Sequence, residues 1–356
     1  MMPSTGGSIC RALRGLCLGA AVALWAWGSA TAAEQGTPPL LLVLNKHADS
    51  LLVFELPSHR PVATVAVGDE PHEVAVTPDG TKCYVSNVGD RSITVIDAKA
   101  WSVLRTLAPE RLDTPHGLGI SHDGRFLLAT SEGSRRFYLF DTQRDVLLRA
   151  LTSTEEGMHM IAMPGRGWDA YVANRSSDSV TVLDAKHLSI EAHIHVGSGP
   201  EGIALTPDGR LLLVAVQNEG EVVIMKAGSG RTQARVPAGR TPIRIAVTPD
   251  ASLALVSNRH SDDLTVIDLK SSSVVGTIGV GRSPGGLAIT TDGVHAYVAN
   301  NESNTVSIVS IGELRETGTL DVGDHPDGIA IIPPGPSGGE PGGGKRRQRK
   351  SGGGPS

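Results

Sequence analysis

Val76–Ala98 reads VTPDGTKCYVSNVGDRSITVIDA: a Thr-Pro-Asp-Gly turn, a short apolar segment ending at Asn87, a polar loop and a second apolar segment. Proline at a preset φ and glycine at positive φ are the marks of a tight turn. The β-branched segments that follow are too short for helices and carry no 3.6-residue period, so both read as strands. The same order recurs along the chain. The turn returns as SHDG ending at Gly124, LTPDG at Gly209, VTPDA at Ala251 and TTDG at Gly293. Strands such as FLLATS, LLLVAV, LALVSN and AYVAN stand in the place of CYVSN, and SVTVLDA, DLTVIDL and TVSIVSI in the place of SITVIDA. A further strand ends in V-x-V-G or similar, as in VATVAVG and VVGTIGVG. One copy, GMHMIAMPGRG at Gly157–Gly167, replaces the short turn with a longer one.

Pro207 and Pro249 lie 42 residues apart, as do Asn258 and Asn300. Four short strands per period of this length are the signature of a β-propeller blade, and seven copies fit the chain. The phase of the copies is informative. The first, from Leu40, starts on a second strand with no innermost strand before it; the last ends at PDGIAIIPP, an innermost strand with nothing after it. Together they make one whole blade. The expected fold is therefore all-β, a seven-bladed β-propeller over residues 40–334, closed by pairing of the C-terminal innermost strand with the N-terminal strands. Closure removes the exposed edges of an open sheet.

YVSN at Tyr84–Asn87 and YVAN at Tyr171–Asn174 and Tyr297–Asn300, each tied to its turn, resemble the YVTN repeat. The order P-H-E-V, P-H-G-L, H-M-I-A, P-E-G-I, P-I-R-I resembles YncE-like propellers of bacterial envelopes. The resemblance covers the chain between its two ends. It implies the fold and the family and specifies no chemistry.

Those ends read differently. Arg11 and Arg14 precede the apolar GLCLGAAVALWAWG, and Ala30-Thr31-Ala32 supplies a small-residue cleavage site, so residues 1–32 read as a secretory signal peptide. The apolar run is too short to span a bilayer, and no transmembrane segment is expected after cleavage. Residues 33–39 read as a short linker. Residues 335–356, rich in Gly and Pro with five basic residues, read as a disordered tail. Removal of the leader takes Cys10 and Cys17 and leaves only Cys83, which excludes internal disulfides and cysteine-based metal clusters. A periplasmic or secreted monomer is expected, with a small molecule, a metal ion or an envelope protein as partner. The leader carries two positive charges and the tail four net, so the formal −5 of the chain becomes −11 in the body. Such a body repels phosphate backbones, so nucleic acid is not the expected ligand of the propeller.

Familiar motifs fail on context. GSGPEG at Gly197–Gly202 spells G-x-G-x-x-G, yet GIALT after it is another strand. A dinucleotide loop needs a helix there to meet the pyrophosphate, so no NAD site is expected. GEPGGGKR in the tail mimics a phosphate loop but ends in Arg346 and follows no strand. H-E-x-x-H does not occur, and G-x-S-x-G is spelled at 281–285 (GRSPG) and 335–339 (GPSGG) without the strand-to-helix turn that a nucleophile elbow needs. The tryptophan docking pattern that resembles quinoprotein propellers does not occur, so PQQ is not expected. The recurrent Asn87, Asn174, Asn258 and Asn300 read as loop caps, and Asp97, Asp184 and Asp268 as turn ties. Cys83 aligns with alanines and reads as a small buried residue, while His193 and His195 fall on an outer strand and read as exposed.

Aligning the copies brings out one constellation. The residue after the Pro that opens each innermost strand is His72, His116, His159 (after Met158), Glu201, Ile243, Gly285 and Asp327. In a propeller these positions surround one mouth of the central channel. Around the closed ring Asp327, His72, His116, His159 and Glu201 are consecutive, although no two are near in sequence. The chain has 12 histidines, so seven positions drawn at random would hold about a quarter of one. Imidazole with carboxylate suits a divalent metal such as Zn or Cu, and three His with an open position suits catalytic Zn. A metal-free proton-handling or anion-binding cluster, and a structural set bonded to turns and water, are the other readings. Arg244 could present a guanidinium to an anion at the same mouth or pair with a carboxylate. The expectation is a binding protein with metal candidates His72, His116, His159 and Glu201 and ligand candidates Arg244 and Asp327. The alternatives are a metal-dependent lyase or hydrolase with Glu201 as general base and a protein-interaction scaffold.

Overall fold

A computed structural model describes residues 37–335; the leader read at 1–32, most of the linker and nearly all of the tail lie outside them. Seven four-stranded antiparallel sheets follow one another around a ring. Blade 1 takes Pro326–Ile332 as its inner strand and continues with Leu40–Asn45, Ser50–Glu55 and Arg60–Ala66. Blades 2 to 7 span residues 71–107, 115–152, 158–195, 200–237, 242–279 and 284–321. The closure anticipated from the phase of the repeat is present, with Leu40 opposite Ile332 and Asn45 opposite Pro326. No helix among the described residues is long and apolar enough to cross a membrane.

The pattern of apolar residues follows from the stacking of blades. Second and third strands are buried on both faces, because each face packs on a different neighbour. Such strands are therefore apolar throughout and do not alternate. The buried residues fall into seven clusters, one at each interface between blades. Leu42, Leu44 and Val53 of blade 1 meet Val85 and Ile96 of blade 2, for example. Each such side chain contributes about 1.5–3 kcal/mol on burial. Cys83 lies in that same interface, and burial pushes its thiol up to about 12. Outer strands are largely exposed, His193 and His195 with them.

The repeated polar residues serve the ends of the strands. Asp79 Oδ1 accepts from Thr77 Oγ1 at 2.6 Å and from the Thr81 N–H at 3.1 Å, and Gly80 turns at φ 65°. Asp208, Asp250 and Asp292 repeat the arrangement with Thr206, Thr248 and Thr290. Asp97, Asp184 and Asp268 each cap a turn by accepting backbone N–H groups. Asn87 Nδ2 donates to Ser92 Oγ at 2.9 Å and Thr94 Oγ1 at 2.8 Å, and Asn174 and Asn300 make the equivalent pairs. The tyrosine of Y-V-x-N reaches the next blade: Tyr84 Oη donates to Asp145 Oδ1 at 2.7 Å, and Tyr171 Oη accepts from the Gly228 N–H at 2.8 Å.

Candidate metal and ligand site at the channel mouth

Each inner strand begins with a slip in register. In blade 2, Pro71 stands opposite Asn87 and Glu73 opposite Ser86, leaving His72 as an extra residue. All seven inner strands show the same shift beside their first residue. A bulge of this kind re-aims a side chain out of the ladder, and here the extra residue is the one that lines the mouth. On the next position four blades carry glycine. A Cβ on Gly117, Gly202, Gly286 or Gly328 would lie within 2.1–2.6 Å of a backbone oxygen of the neighbouring inner strand. Glycine thus lets the inner strands close tightly around the channel.

His72, His116 and His159 meet at the mouth. Ring centroids are 3.7 Å apart for His72 and His116 and 3.6 Å for His116 and His159. One donor nitrogen from each lies within 4.8 Å of the other two. All three side chains are buried, and the Nδ1 of each is enclosed without a hydrogen-bond partner. Asp327 and Glu201 flank the row as the ring alignment requires. Asp327 Oδ2 lies 3.4 Å from His72 Nε2, and Glu201 Oε1 lies 3.6 Å from His159 Nε2. Burial holds His116 well below the usual imidazole range, and His159, His72, Arg244 and Arg175 add to the effect. Burial likewise depresses His159, with Arg244, His72 and Arg175 contributing. A buried neutral imidazole with a free lone pair is the form that ligates a metal ion, so this trio could hold one.

Arg244 takes the second of the two roles open to it and pairs with a carboxylate. It does not line the mouth pocket. Its Nη2 donates to Glu73 Oε1 at 2.6 Å, across the channel from blade 6 to blade 2. Its Nη1 lies 3.8 Å from Glu201 Oε1. Burial pulls this guanidinium down, but Glu73, Asp327 and Glu201 outweigh it and hold Arg244 above its ordinary value. Glu73 and Arg244 stand one residue beyond the mouth positions on their strands, so the pair spans the channel next to the histidines. Burial pushes Asp327 up, and His72, Arg244, Lys46 and Arg259 together bring it below the usual carboxylate range.

Alignment of the inner strands alone misses a second, outer tier. Residues that follow the ends of five second strands also face the mouth, and Lys46, Val88, Arg175, Arg259 and Asn301 line a pocket of about 390 Å³ with the histidines. The tier is pinned by its backbone: the Lys46, Arg175, Arg259 and Asn301 N–H groups each donate to the loop entering the adjacent inner strand at 2.8–3.0 Å. Gln217 Nε2 donates to Glu201 Oε2 at 2.9 Å, and Arg175 Nη1 lies 3.6 Å from the same oxygen. The signal was available, because these residues all follow the Y-V-x-N position of the repeat.

With this geometry in view, the comparisons with known proteins agree on architecture. The sequence profile of the YncE-like β-propeller family matches residues 8–337. Antigen Lp49 of Leptospira interrogans is 25% identical over 183 residues, which cover 49% of this chain and 40% of that protein. The chain thus matches less than half the length of that relative. A functionally unknown protein from Desulfotomaculum acetoxidans superposes with a TM-score of 0.73 at 16% identity, over 83% of this chain and 99% of that one. Kuenenia stuttgartiensis hydrazine synthase superposes with a TM-score of 0.68 at 21% identity, over 79% of this chain and 96% of the other. At these identities both likenesses bear on the fold alone.

Proposed function

This chain belongs to the YncE-like β-propeller family, and from that premise we propose that it is an exported binding protein that takes a divalent metal ion, zinc or copper, at the mouth of its channel. One observation carries the reading: three buried imidazoles from three adjacent blades offer donor nitrogens within 4.8 Å of one another. Their unpaired Nδ1 atoms support it, since buried polar atoms left without partners are rare and costly. His72, His116 and His159 are the ligands, and neutral imidazole suits both metals. Glu201 and Asp327 close the row at either end and set its charge. Their positions leave the side of the trio that faces the pocket open to a small ligand. Export to the periplasm or the cell exterior rests on the leader pattern at residues 1–32.

Glu201 Oε2 accepts from Gln217 at 2.9 Å, and Arg175, Arg244 and His159 stand 3.6–3.8 Å from its two oxygens, so the carboxylate is held in place at the end of the imidazole row. The test is elemental analysis after reconstitution with zinc and with copper, on the wild type and on the His72→Ala/His116→Ala/His159→Ala variant. About one ion per chain is expected in the wild type and none in the variant. Failure of both metals to bind the wild type overturns the reading, and retention in the triple variant moves the site elsewhere.

A further inference from the structure

We propose that the same mouth binds a small organic anion, its oxyanion head (carboxylate or phosphate) held between Lys46 and Arg259 on the side of the ring opposite the central histidine. The inference deepens the metal-site reading and rests on it for the location of the ligand. Three observations meet here.

The first is that two cations are uncommitted. Arg244 is paired with Glu73 at 2.6 Å, and Arg175 with Glu132 at 2.9 Å. Among the described residues, Lys46 and Arg259 make no ion pair within 4 Å, although both line the pocket. Arg259 Nε is shielded from solvent and has no hydrogen-bond partner. A guanidinium N–H in that state lacks an acceptor, and an oxyanion supplies one in the fork geometry that arginine favours.

The second is room. Lys46 belongs to blade 1 and Arg259 to blade 6, and blade 7 lies between them. Blade 7 places Gly285 where the other blades carry His, Glu, Asp or Ile at the mouth. A Cβ at Gly285 would approach Asn301 Oδ1 to 3.2 Å and Asp327 Oδ1 to 3.3 Å. The glycine therefore adds no side chain of its own between the two cations, and the Asn301 amide and the Asp327 carboxylate stand directly beside it. Asn301 is fixed there by its own backbone and by donation from Nδ2 to the Pro326 carbonyl.

The third is charge. Lys46, Arg175, Arg244 and Arg259 face Glu73, Glu132, Glu201, Asp327 and Glu302 around the pocket and its attached ion pairs. That balance is one negative in excess. A divalent ion bound at the three imidazoles adds two positive charges and reverses its sign, so the metal-loaded mouth attracts an anion and the metal-free mouth does so less. The ring is thus divided: blades 2 to 4 present imidazoles, and blades 6, 7 and 1 present a cation, a glycine and a cation.

The experiment is calorimetric titration of the full chain, zinc-loaded and zinc-free, with succinate and with inorganic phosphate at low ionic strength. Wild type is expected to bind one of the two, and the arm that binds tells carboxylate from phosphate. Lys46→Ala/Arg259→Ala should weaken that binding at least tenfold while zinc affinity stays within twofold, and Arg259→Lys should recover part of the loss. Gly285→Val, which crowds Asn301 and Asp327, should weaken the anion. Equal anion affinity in wild type and double variant, or no binding of either anion to the wild type, overturns the inference. Failure of zinc to bind overturns the metal reading alone. The zinc-free titrations, with their dependence on Lys46 and Arg259, then decide this inference separately.

Discussion

The two ends of the channel are built on the same repeat and treat it in opposite ways. At the turn end, Thr77, Thr206, Thr248 and Thr290 bond to the Asp two residues on at 2.6 Å in every case. Ser121 does the same with Asp123 at 2.7 Å. At the mouth end, one register position carries His, His, His, Glu, Ile, Gly and Asp in turn. The Thr–Asp and Ser–Asp bonds of these turns close within a blade, so each blade solves the same local problem with the same residues. Side chains at the mouth face a shared space, and there a blade is defined by what the other six contribute. In a closed repeat protein, fidelity to the repeat marks structure and departure from it marks a site.

The sharpest way to break that comparison is at Glu73 and Arg244, which depart from the glycine that four blades carry and meet across the channel. Arg244→Ala leaves the partly buried Glu73 carboxylate without its partner and should cost about 3 kcal/mol. Glu73→Gln combined with Arg244→Met removes both charges and should recover most of that loss. Chemical denaturation of the full chain measures both. A cost below about 1 kcal/mol for Arg244→Ala would mean that the pair is solvated.

This pair also shows where sequence reading stops. The period, the strand order and the phase that closes the ring were all legible, because they are set by nearest neighbours along the chain. So was the row from Asp327 to Glu201, since aligned positions on successive blades are adjacent in a ring. The meeting of Glu73 with Arg244 was not legible. It depends on how far two side chains reach over a channel whose width no alignment supplies. The bulge that aims His72 at the mouth was hidden for a related reason: a one-residue slip leaves the sequence pattern unchanged. Lys46, Arg175 and Arg259 were legible in principle, because they hold a fixed place after the second strand.

Acidification probes the mouth through its two most deeply buried histidines. His116 and His159 are depressed in the folded chain, with burial the main cause. As pH falls through about 6.5, the unfolded chain takes up protons that the folded chain refuses. Folding stability is therefore fully present above that pH and is lost below it, by up to about 1.4 kcal/mol per pH unit for each imidazole. His116→Asn/His159→Asn should flatten the slope between pH 6.5 and 5.5 in metal-free protein, leaving the contribution of the carboxylates common to both. An unchanged slope would mean that the two rings are protonated in place. Bound zinc should steepen the wild-type dependence, because protons and metal compete for the same nitrogens.

A smaller effect sharpens the structural side. Asn174, Asn258 and Asn300 each donate from Nδ2 to a residue five positions on and another seven positions on. Replacing any one by Ala leaves those groups unpaired and should cost about 1–2 kcal/mol. Equivalence predicts that the three costs agree within about 0.5 kcal/mol and that metal and anion affinities do not change. A spread as wide as that among mouth substitutions would erase the distinction between the two kinds of position.

The smallest effect comes from restoring the repeat where it is broken without consequence for the mouth. Ala251 ends the turn of blade 6 at φ 58°, the place held by Gly80, Gly124, Gly209 and Gly293 at φ 65–72° in other blades. Its N–H still donates to the Thr248 carbonyl at 2.8 Å, so the turn keeps its hydrogen bond and only the backbone conformation is at issue. A left-handed alanine costs about 1–2 kcal/mol, and glycine returns about 0.4–1 kcal/mol of that through the greater freedom of the unfolded chain. Ala251→Gly should thus raise stability by about 0.5 kcal/mol, a shift readable in the denaturant midpoint with an unchanged slope. Metal and anion binding should be unaffected, since Ala251 lies at the far end of an inner strand from Ile243. A departure from the repeat at the turn end is then a local strain that one substitution relieves. Any change in ligand affinity from this substitution would instead show that the two ends of the channel are coupled through the blade.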